Sequence, residues 1–381
     1  MKKKAPKALS HAKFVYRVST DDNDIDCNYN IIKNDVQKKL FNKNALFSVI
    51  SCESSDYVCP ICQFKPVAAR ITLCGHIFCA DCLAMHFEYS KNQKCPICDK
   101  YITPTSIFRA DVRYFTRNDN FTFQKISRGI YSCCHLAEET SEAIDSVPFA
   151  SSKSSFYSKF SIADKNYIEN MIKTELKELD AQKEIYSRPE YFDENKLFYI
   201  YQIIEEVSHE RIPATETPIV QLDHSEIIYQ FYQEEHGLLV FLDDFSTDSL
   251  VAEYGSLIDS PYTIKATTLR KYSTVVNDSF RKMTKSLSHL QKQTKIDLII
   301  ADLSDFVSTQ ILSNYAIPAE KPSTISKISS SMHSMDAPCK EMPKSVSGTF
   351  NADEYPDLFP VLKKKKQIQT PKSTSWVNLK L

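Results

Sequence analysis

The chain is poor in glycine, in tryptophan and in long apolar runs. Its 381 residues include five glycines and one tryptophan. Neither G-x-x-x-x-G-K-[ST] nor G-x-G-x-x-G occurs, which argues against a glycine loop that cradles phosphate. A run of about 18 apolar residues is also missing, so we expect no transmembrane helix.

Neither the net charge nor the N-terminal residues indicate a membrane or secreted protein. The formal net charge is -1, which favours neither a polyanionic nor a polycationic partner. The opening MKKKAPKALSHAKF is basic but lacks the apolar core of a secretory signal. We therefore expect a cytoplasmic protein in a reducing compartment, and the lysines leave a nuclear location open.

Metal-ligand side chains are concentrated in one stretch, and they follow the pattern C-x2-C-x11-C-x-H-x2-C-x2-C-x12-C-x2-C. The residues are Cys59, Cys62, Cys74, His76, Cys79, Cys82, Cys95 and Cys98. Zinc takes four such ligands in a tetrahedron, and C-x2-C presents two from one tight turn. Eight ligands predict two zinc ions, because a segment this short needs metal to fold. The spacing leaves open whether the two sites are sequential or interleaved.

Three short motifs resemble a RING finger of the C3HC4 type: CPIC at 59–62, LCGHIFC at 73–79 and CPIC at 95–98. The resemblance implies a RING over residues 57–102 with two interleaved sites, a cross-brace, and one short helix at 82–89. Its implied ligand sets are Cys59, Cys62, Cys79 and Cys82 for one zinc, and Cys74, His76, Cys95 and Cys98 for the other.

RING fingers bind a ubiquitin-conjugating enzyme (E2), so the resemblance implies a RING-type E3 ubiquitin ligase. Such a ligase positions ubiquitin-charged E2 for direct transfer to a substrate lysine, without a covalent intermediate of its own. The implied E2 contacts are Ile61, Pro96, His86 and Phe87, with His86 at a helix position that is often tryptophan. Asp99 stands where an arginine often clamps ubiquitin. It favours, as the alternative, a zinc-stabilised adaptor with weak or no ligase activity.

A covalent ligase would need a reactive cysteine in this chain. Cys133 and Cys134, followed by His135, are the adjacent candidates, since a histidine beside a thiol can activate it. No second metal-binding pattern surrounds them, so we expect a packed pair without a catalytic role.

The sequence as a whole predicts an α+β fold, with a small two-zinc cross-brace RING module followed by a helical hairpin, a mixed α/β region and disordered tails. Residues 1–13 are expected to be a basic disordered arm and 14–56 a lead-in segment. The remaining predicted units are a β-rich extension at 103–135, a linker at 136–160, a helical hairpin at 161–211, a mixed α+β domain at 220–315 and a disordered basic tail at 319–381. A short docking motif is expected in that tail at 354–362.

Basic and aromatic residues alternate in the β-rich extension. The basic residues are Arg109, Arg113, Arg117, Lys125 and Arg128. This interleaving suits RNA contact through stacking and phosphate binding, but an ordinary half-buried sheet shows the same alternation.

The region after the RING is similar to the RING finger protein 10 family. The similarity is carried by YQFYQEEHGLLVFLDDFSTDSLVAEYGSLIDSP at 229–261 and YSTVVNDSFRKMTKSLSHL at 272–290. It extends over about residues 14–315. It implies that the substrates are proteins of the small (40S) ribosomal subunit and, for some members, a role in transcription.

Overall fold

The computed structural model describes residues 9, 12–18, 32–33, 45–90, 93–116, 120–131, 133–138, 144–213, 216–224 and 228–314. These residues all belong to one compact unit. The predicted tail at 319–381 with its docking motif, Arg117 and most of the predicted arm lie outside the described residues.

Twelve strands and six helices make up the described fold. The strands are β1 Lys13–Tyr16, β2 Leu46–Ser54, β3 Arg70–Thr72, β4 Ile77–Phe78, β5 Ile107–Phe115, β6 Asn120–Arg128, β7 Cys134–Leu136, β8 Phe160–Ile162, β9 Tyr229–Glu234, β10 Val240–Leu242, β11 Thr263–Val275 and β12 Lys295–Ala301. The helices are α1 Ala80–Tyr89, α2 Lys165–Tyr186, α3 Glu194–Ser208, α4 Asp244–Tyr254, α5 Asp278–Met283 and α6 Thr309–Asn314.

The first sheet joins the cysteine-rich segment to the rest of the fold. Its strand order is β4-β3-β5-β2-β1-β8. The β3–β4 hairpin comes from the cysteine-rich segment and pairs antiparallel with β5, which itself runs parallel to β2. The predicted lead-in and the start of the β-rich extension are therefore neighbouring central strands, and the RING segment forms one edge of their sheet.

Helices α2 and α3 pack against each other and against one face of the first sheet. Ile168 and Ile172 of α2 and Ile200 of α3 share a buried cluster with Val15 and Ile50 of the sheet. The opposite sheet face is buried in a second cluster, built mainly from alternate residues of the same strands. Alternation in the strands and three- to four-residue spacing in the helices explain this layering.

Five strands of the second sheet close into a barrel. The order is β11-β12-β10-β9-β6-β7, and β11 also pairs with β6. All barrel pairs are antiparallel except β10 with β12. Together with a helix between the third and fourth barrel strands, this connectivity is that of OB-type barrels. The chain covers the outer face of β9 itself, since the ring of His289 stacks on Phe231 with 5.4 Å between centroids.

The described residues of the predicted linker and the predicted arm include buried, hydrogen-bonded side chains, in contrast to the expectation. The linker prediction rested on serine content, but Ser154, Ser155 and Ser158 are fully buried. Their hydroxyls bond to the backbone; Ser155 Oγ, for example, donates to the Ala150 carbonyl at 3.1 Å. At the end of the predicted arm, Lys13 is buried in β1 and its Nζ donates to the Gly237 carbonyl at 3.1 Å.

Four of the five basic residues of the β-rich extension lie in the described part of the chain, and these four do not form an exposed RNA-binding stripe, because they pair inside the fold. Lys125 Nζ donates to the carbonyls of Ile258 and Ser260 at 2.7 and 2.6 Å. The Arg128 guanidinium bonds to the Lys285 and Ser286 carbonyls. Buried cations need such partners. Arg109 and Arg113 likewise pair inside the fold, with the carboxylates of Glu175 in α2, Glu210 just after α3 and Asp111 in β5.

Cys133 and Cys134 form a packed pair, as expected. Both thiols are buried, and burial raises the pKa of Cys133. A buried thiol with a raised pKa is a poor nucleophile.

Candidate metal centre

The structure groups the eight cysteine and histidine ligands into two clusters. One holds Cys59, Cys62, Cys79 and Cys82, and the other holds Cys74, His76, Cys95 and Cys98. Within each cluster, all candidate ligand atoms lie within 4.8 Å of one another. The first and third ligand pairs along the chain thus share a cluster, and the second and fourth pairs share the other. This is the interleaved arrangement, which spacing alone left open.

Two matching turns present the outer ligand pairs. In the first turn, the Gln63 amide donates to the Cys59 carbonyl at 2.8 Å and the Cys59 amide to the Phe64 carbonyl at 2.7 Å. In the second, Asp99 donates to Cys95 at 3.0 Å and Cys95 to Lys100 at 2.8 Å. Gln63 and Asp99 adopt left-handed backbone conformations with φ of 61° and 54°. The repeated turn explains why each C-x2-C presents both sulfurs to one point.

The distances between ligand atoms fit tetrahedral zinc. Zn–S and Zn–N bonds of about 2.3 and 2.0–2.1 Å imply S–S separations of about 3.8 Å and S–N separations of about 3.6 Å. The Cys62 and Cys79 sulfurs are 3.6 Å apart. His76 Nδ1 lies 3.4 Å from the Cys74 sulfur and 3.3 Å from the Cys95 sulfur. Both clusters are therefore already close to the size of a zinc coordination sphere.

Surrounding groups stabilise the zinc-binding forms of these side chains. Burial and then the charge of Lys100 lower the pKa of His76, which keeps its imidazole neutral as a ligand. The Cys79 amide donates to the Cys59 sulfur and the Val67 amide to the Cys79 sulfur, each at 3.4 Å. Amide donors of this kind stabilise thiolate ligands. The residues present thus fit two zinc ions, with four thiolates in one site and three thiolates and one imidazole in the other.

A buried network of charged side chains connects helix α2 to the metal module. Glu175 receives bonds from Arg70 Nη1 at 2.8 Å and from Arg109 Nε at 3.1 Å. Arg70 belongs to the β3 strand of the module, whereas Arg109 belongs to β5. Burial acts to lower the pKa of Arg109, but the charges of Glu175 and Glu210 outweigh it and the pKa is raised.

Two more bonds join α2 to the module. Glu178 Oε2 accepts from the Ala68 amide at 3.0 Å. Gln182 Nε2 donates to Asp81 of α1 at 3.4 Å, and burial raises the pKa of that aspartate. The module is therefore fixed to the helices at several points.

A groove of about 480 Å³ opens beside the first cluster. Its lining is Ile61, Cys62, Cys82, Met85, His86, Tyr89, Ser90, Pro96 and Lys196. Three of the four predicted E2 contacts, Ile61, Pro96 and His86, are thus brought together. Ile61 is 40% exposed and available to a partner.

Two groove features differ from the sequence-based expectation. Phe87 is not among the lining residues; it packs against the core of the metal module. His86 Nε2 donates to the Lys94 carbonyl at 2.7 Å, so this ring is also bonded to the backbone just before Cys95. Met85, Tyr89 and Lys196 were not predicted from the sequence as groove-lining residues. Tyr89 could have been inferred from its place at the end of the helix, but no sequence signal brings Lys196 here from α3.

Comparison with known protein families agrees with this geometry. Residues 55–105 match the family of C3HC4-type zinc fingers (RING fingers). The chain therefore contains a C3HC4-type RING finger domain with two zinc-binding clusters. This confirms the predicted cofactor, two zinc ions.

Curated relatives with RING fingers include one that extends far beyond this domain. RING finger protein P8B7.23 of Schizosaccharomyces pombe is 23% identical, over 68% of this chain and 48% of its own length. The SLX8 subunit of the E3 ubiquitin-protein ligase complex SLX5-SLX8 of Saccharomyces cerevisiae is 36% identical, over 16% of this chain and 22% of its own length. The E3 ubiquitin-protein ligase COP1 of Pisum sativum is 35% identical, over 16% of this chain and 9% of its own length.

The matches to named ubiquitin ligases are confined to short segments. This chain spans about half the length of the Schizosaccharomyces pombe relative and less of the others. No solved structure matches the chain. Within the described residues, none of the helices is long and apolar enough to cross a bilayer.

Proposed function

We propose that the protein is a RING-type E3 ubiquitin ligase that binds a ubiquitin-charged E2 in the groove lined by Ile61 and Pro96. The observation that carries this proposal is the groove itself, because an interleaved two-zinc module places both residues on one exposed surface. The ligase names of the SLX8 and COP1 relatives support the same activity. The chemistry needs no nucleophile from this chain.

The ligase acts by restricting the freedom of the charged E2. Ubiquitin passes from the E2 cysteine to a substrate lysine, and the RING contributes orientation, which lowers the entropic part of the barrier. The zinc ions supply the rigid scaffold. The bonds from α2 to Arg70 and Ala68 fix that scaffold, and with it the bound E2, to the body of the protein.

Discharge of a ubiquitin-charged E2 onto free lysine tests the proposal. Wild-type protein should accelerate discharge over E2 alone, and Ile61→Ala should remove most of that acceleration. Ile61 is well exposed, so the variant should keep its fold and both zinc ions. Equal, slow discharge by both proteins would refute ligase activity.

Asp99 favours a second candidate, a zinc-stabilised adaptor with little transfer activity. The residue is exposed in a left-handed turn, a conformation that Asp tolerates better than most residues. A carboxylate here cannot replace the arginine that clamps ubiquitin in many RING fingers. If the protein is a ligase with a weak clamp, Asp99→Arg should increase discharge. If it is an adaptor, wild type should bind E2 without accelerating discharge.

We further propose proteins of the small ribosomal subunit as substrates, and a location in the cytoplasm and the nucleus. The support is the similarity of residues 14–315 to the RING finger protein 10 family. RNA contact through the lysines of the tail, which lies outside the described residues, belongs to the same proposal. Cosedimentation with 40S particles, with and without residues 319–381, tests it. Failure of the full chain to cosediment at low salt would contradict ribosomal recruitment.

A further inference from the structure

A carboxylate of α2 holds the turn that donates to one of the zinc ligands. Glu178 Oε2 accepts from the Ala68 amide at 3.0 Å, and the neighbouring Val67 amide donates to the Cys79 sulfur at 3.4 Å. Ala68 has a left-handed backbone conformation with φ of 43°, which is strained for a residue other than glycine. Glu178 therefore stabilises a strained turn, and this turn carries the amide that bonds to a thiolate of the first zinc site.

A lysine of α3 lies beside the same zinc site. Lys196 lines the groove together with the ligands Cys62 and Cys82, and its Nζ donates to the Tyr186 hydroxyl at 2.7 Å. Burial acts to lower the pKa of Lys196, but the bond to the tyrosine and the charges of Asp81 and Cys82 outweigh it and the pKa is raised. A positively charged ammonium is therefore held beside two of the four ligands.

The first site needs a nearby cation because its ligands make it an anion. Four thiolates outweigh the charge of one Zn²⁺, and Asp81 is buried next to the ligand Cys82. Burial raises the pKa of Asp81, and the charge of Lys196 acts against that rise. Buried negative charge is costly unless a counter-charge or hydrogen-bond donors compensate it. Lys196 supplies the counter-charge and the Val67 amide supplies a donor.

We propose that α2 and α3, through Glu178 and Lys196, support the first zinc site from outside its ligand sphere and raise its affinity for zinc. Groups in this position orient the ligands and stabilise their metal-binding forms. The second cluster has such a neighbour within the module itself, since Thr72 Oγ1 lies 3.0 Å from the Cys74 sulfur. Loss of either support should therefore act on the first site and leave the second nearly unchanged. This inference depends on the two zinc sites and not on ligase activity.

Cadmium NMR of the full chain, with Cd²⁺ in place of Zn²⁺, tests the inference because it reports on each site separately. Four sulfurs at one site, and three sulfurs and a nitrogen at the other, should give two distinct resonances. Lys196→Met and Glu178→Ala should each move the four-sulfur resonance. Each should also raise the dissociation constant of that site for Cd²⁺, measured in a chelator buffer, roughly tenfold. The other resonance should keep its position and its dissociation constant.

Two further variants are the controls. Lys196→Arg keeps the positive charge and should keep the wild-type affinity of the first site. Lys183→Met removes a lysine of α2 whose Nζ pairs with Asp180, so neither resonance should change. If Lys196→Arg lost as much affinity as Lys196→Met, the assignment of Lys196 as a counter-charge would be wrong.

The outcomes at the two sites decide the inference. A four-sulfur resonance that neither moves nor loses affinity in Lys196→Met and Glu178→Ala would overturn it. Equal losses at both sites would also overturn it, because they would show a general loosening of the module. Absence of a four-sulfur resonance in wild type would contradict the zinc assignment and the inference with it. None of these readouts involves E2 discharge, so their failure is distinguishable from failure of the proposed function.

Discussion

Replacing Glu175 by glutamine should markedly destabilise the protein, because two arginines would lose their buried counter-charge. The side chains of Arg70 and Glu175 are each 4% exposed, and that of Arg109 is 10% exposed. Removing one partner of a buried ion pair typically costs 3–5 kcal/mol. Glu210 still pairs with Arg109 at 3.1 Å, and the glutamine oxygen can still accept one bond. We therefore expect a loss at the lower end, about 3 kcal/mol.

Urea unfolding of the zinc-loaded protein, followed by far-ultraviolet circular dichroism, measures this loss as a lower midpoint. Glu169→Gln is the matched control on the same helix. Its pair with Lys165 spans 3.9 Å, and both side chains are nearly half exposed. Exposed pairs of this kind contribute roughly 0.5 kcal/mol or less. If Glu175→Gln lost no more stability than Glu169→Gln, the buried network would not be what fixes the RING to α2.

Three further perturbations test other parts of the fold. A strong chelator should expose amides of residues 57–102 to hydrogen exchange while β6 and β9 stay protected, because none of the eight cysteine and histidine ligands of the RING lies in these two strands. Retained protection of 57–102 would reject the two-zinc assignment. Gly237→Ala should lower the melting temperature far more than Gly255→Ala. A Cβ at Gly237 would lie 1.8 Å from the Phe156 carbonyl oxygen, whereas a Cβ at Gly255 would meet open space. Because both glycines have positive φ, equal shifts in melting temperature would contradict the clash. Burial and then the charge of Lys13 lower the pKa of Lys159 from its ordinary 10.5 to about 7. Between pH 7 and 10.5 the unfolded chain therefore binds more protons than the folded chain, so the free energy of unfolding should rise with pH across this range. Lys159→Met should flatten the rise, and an unchanged slope in urea unfolding at several pH values would contradict it.

The zinc ligands were predictable from sequence because their chemistry is local. Each C-x2-C makes its own turn, and the pattern of eight ligands permits only a few groupings. The strand Thr263–Val275 is also recognisable in the sequence, because β-branched residues recur along its whole length.

Tertiary contacts account for what the sequence did not predict. From the sequence, the serines at 154–158 are expected to be exposed to solvent. In the fold they are buried, and their hydroxyls form hydrogen bonds with backbone groups. In the sequence Arg109 is a candidate RNA contact, but in the fold it pairs with Glu175 of helix α2. Lys196 reaches the groove only because α3 packs against α1. Such pairings join residues far apart in the chain, and no local pattern encodes them.

The most direct measurement is single-turnover discharge of a ubiquitin-charged E2 in the presence of the zinc-loaded chain. We predict that wild type increases the discharge rate well above that of E2 alone. Ile61→Ala, with two zinc ions still bound, should return the rate close to that of E2 alone. An Ile61→Ala rate equal to an accelerated wild-type rate, or no acceleration by wild type with any E2 that it binds, would contradict the assignment of this groove to ubiquitin transfer.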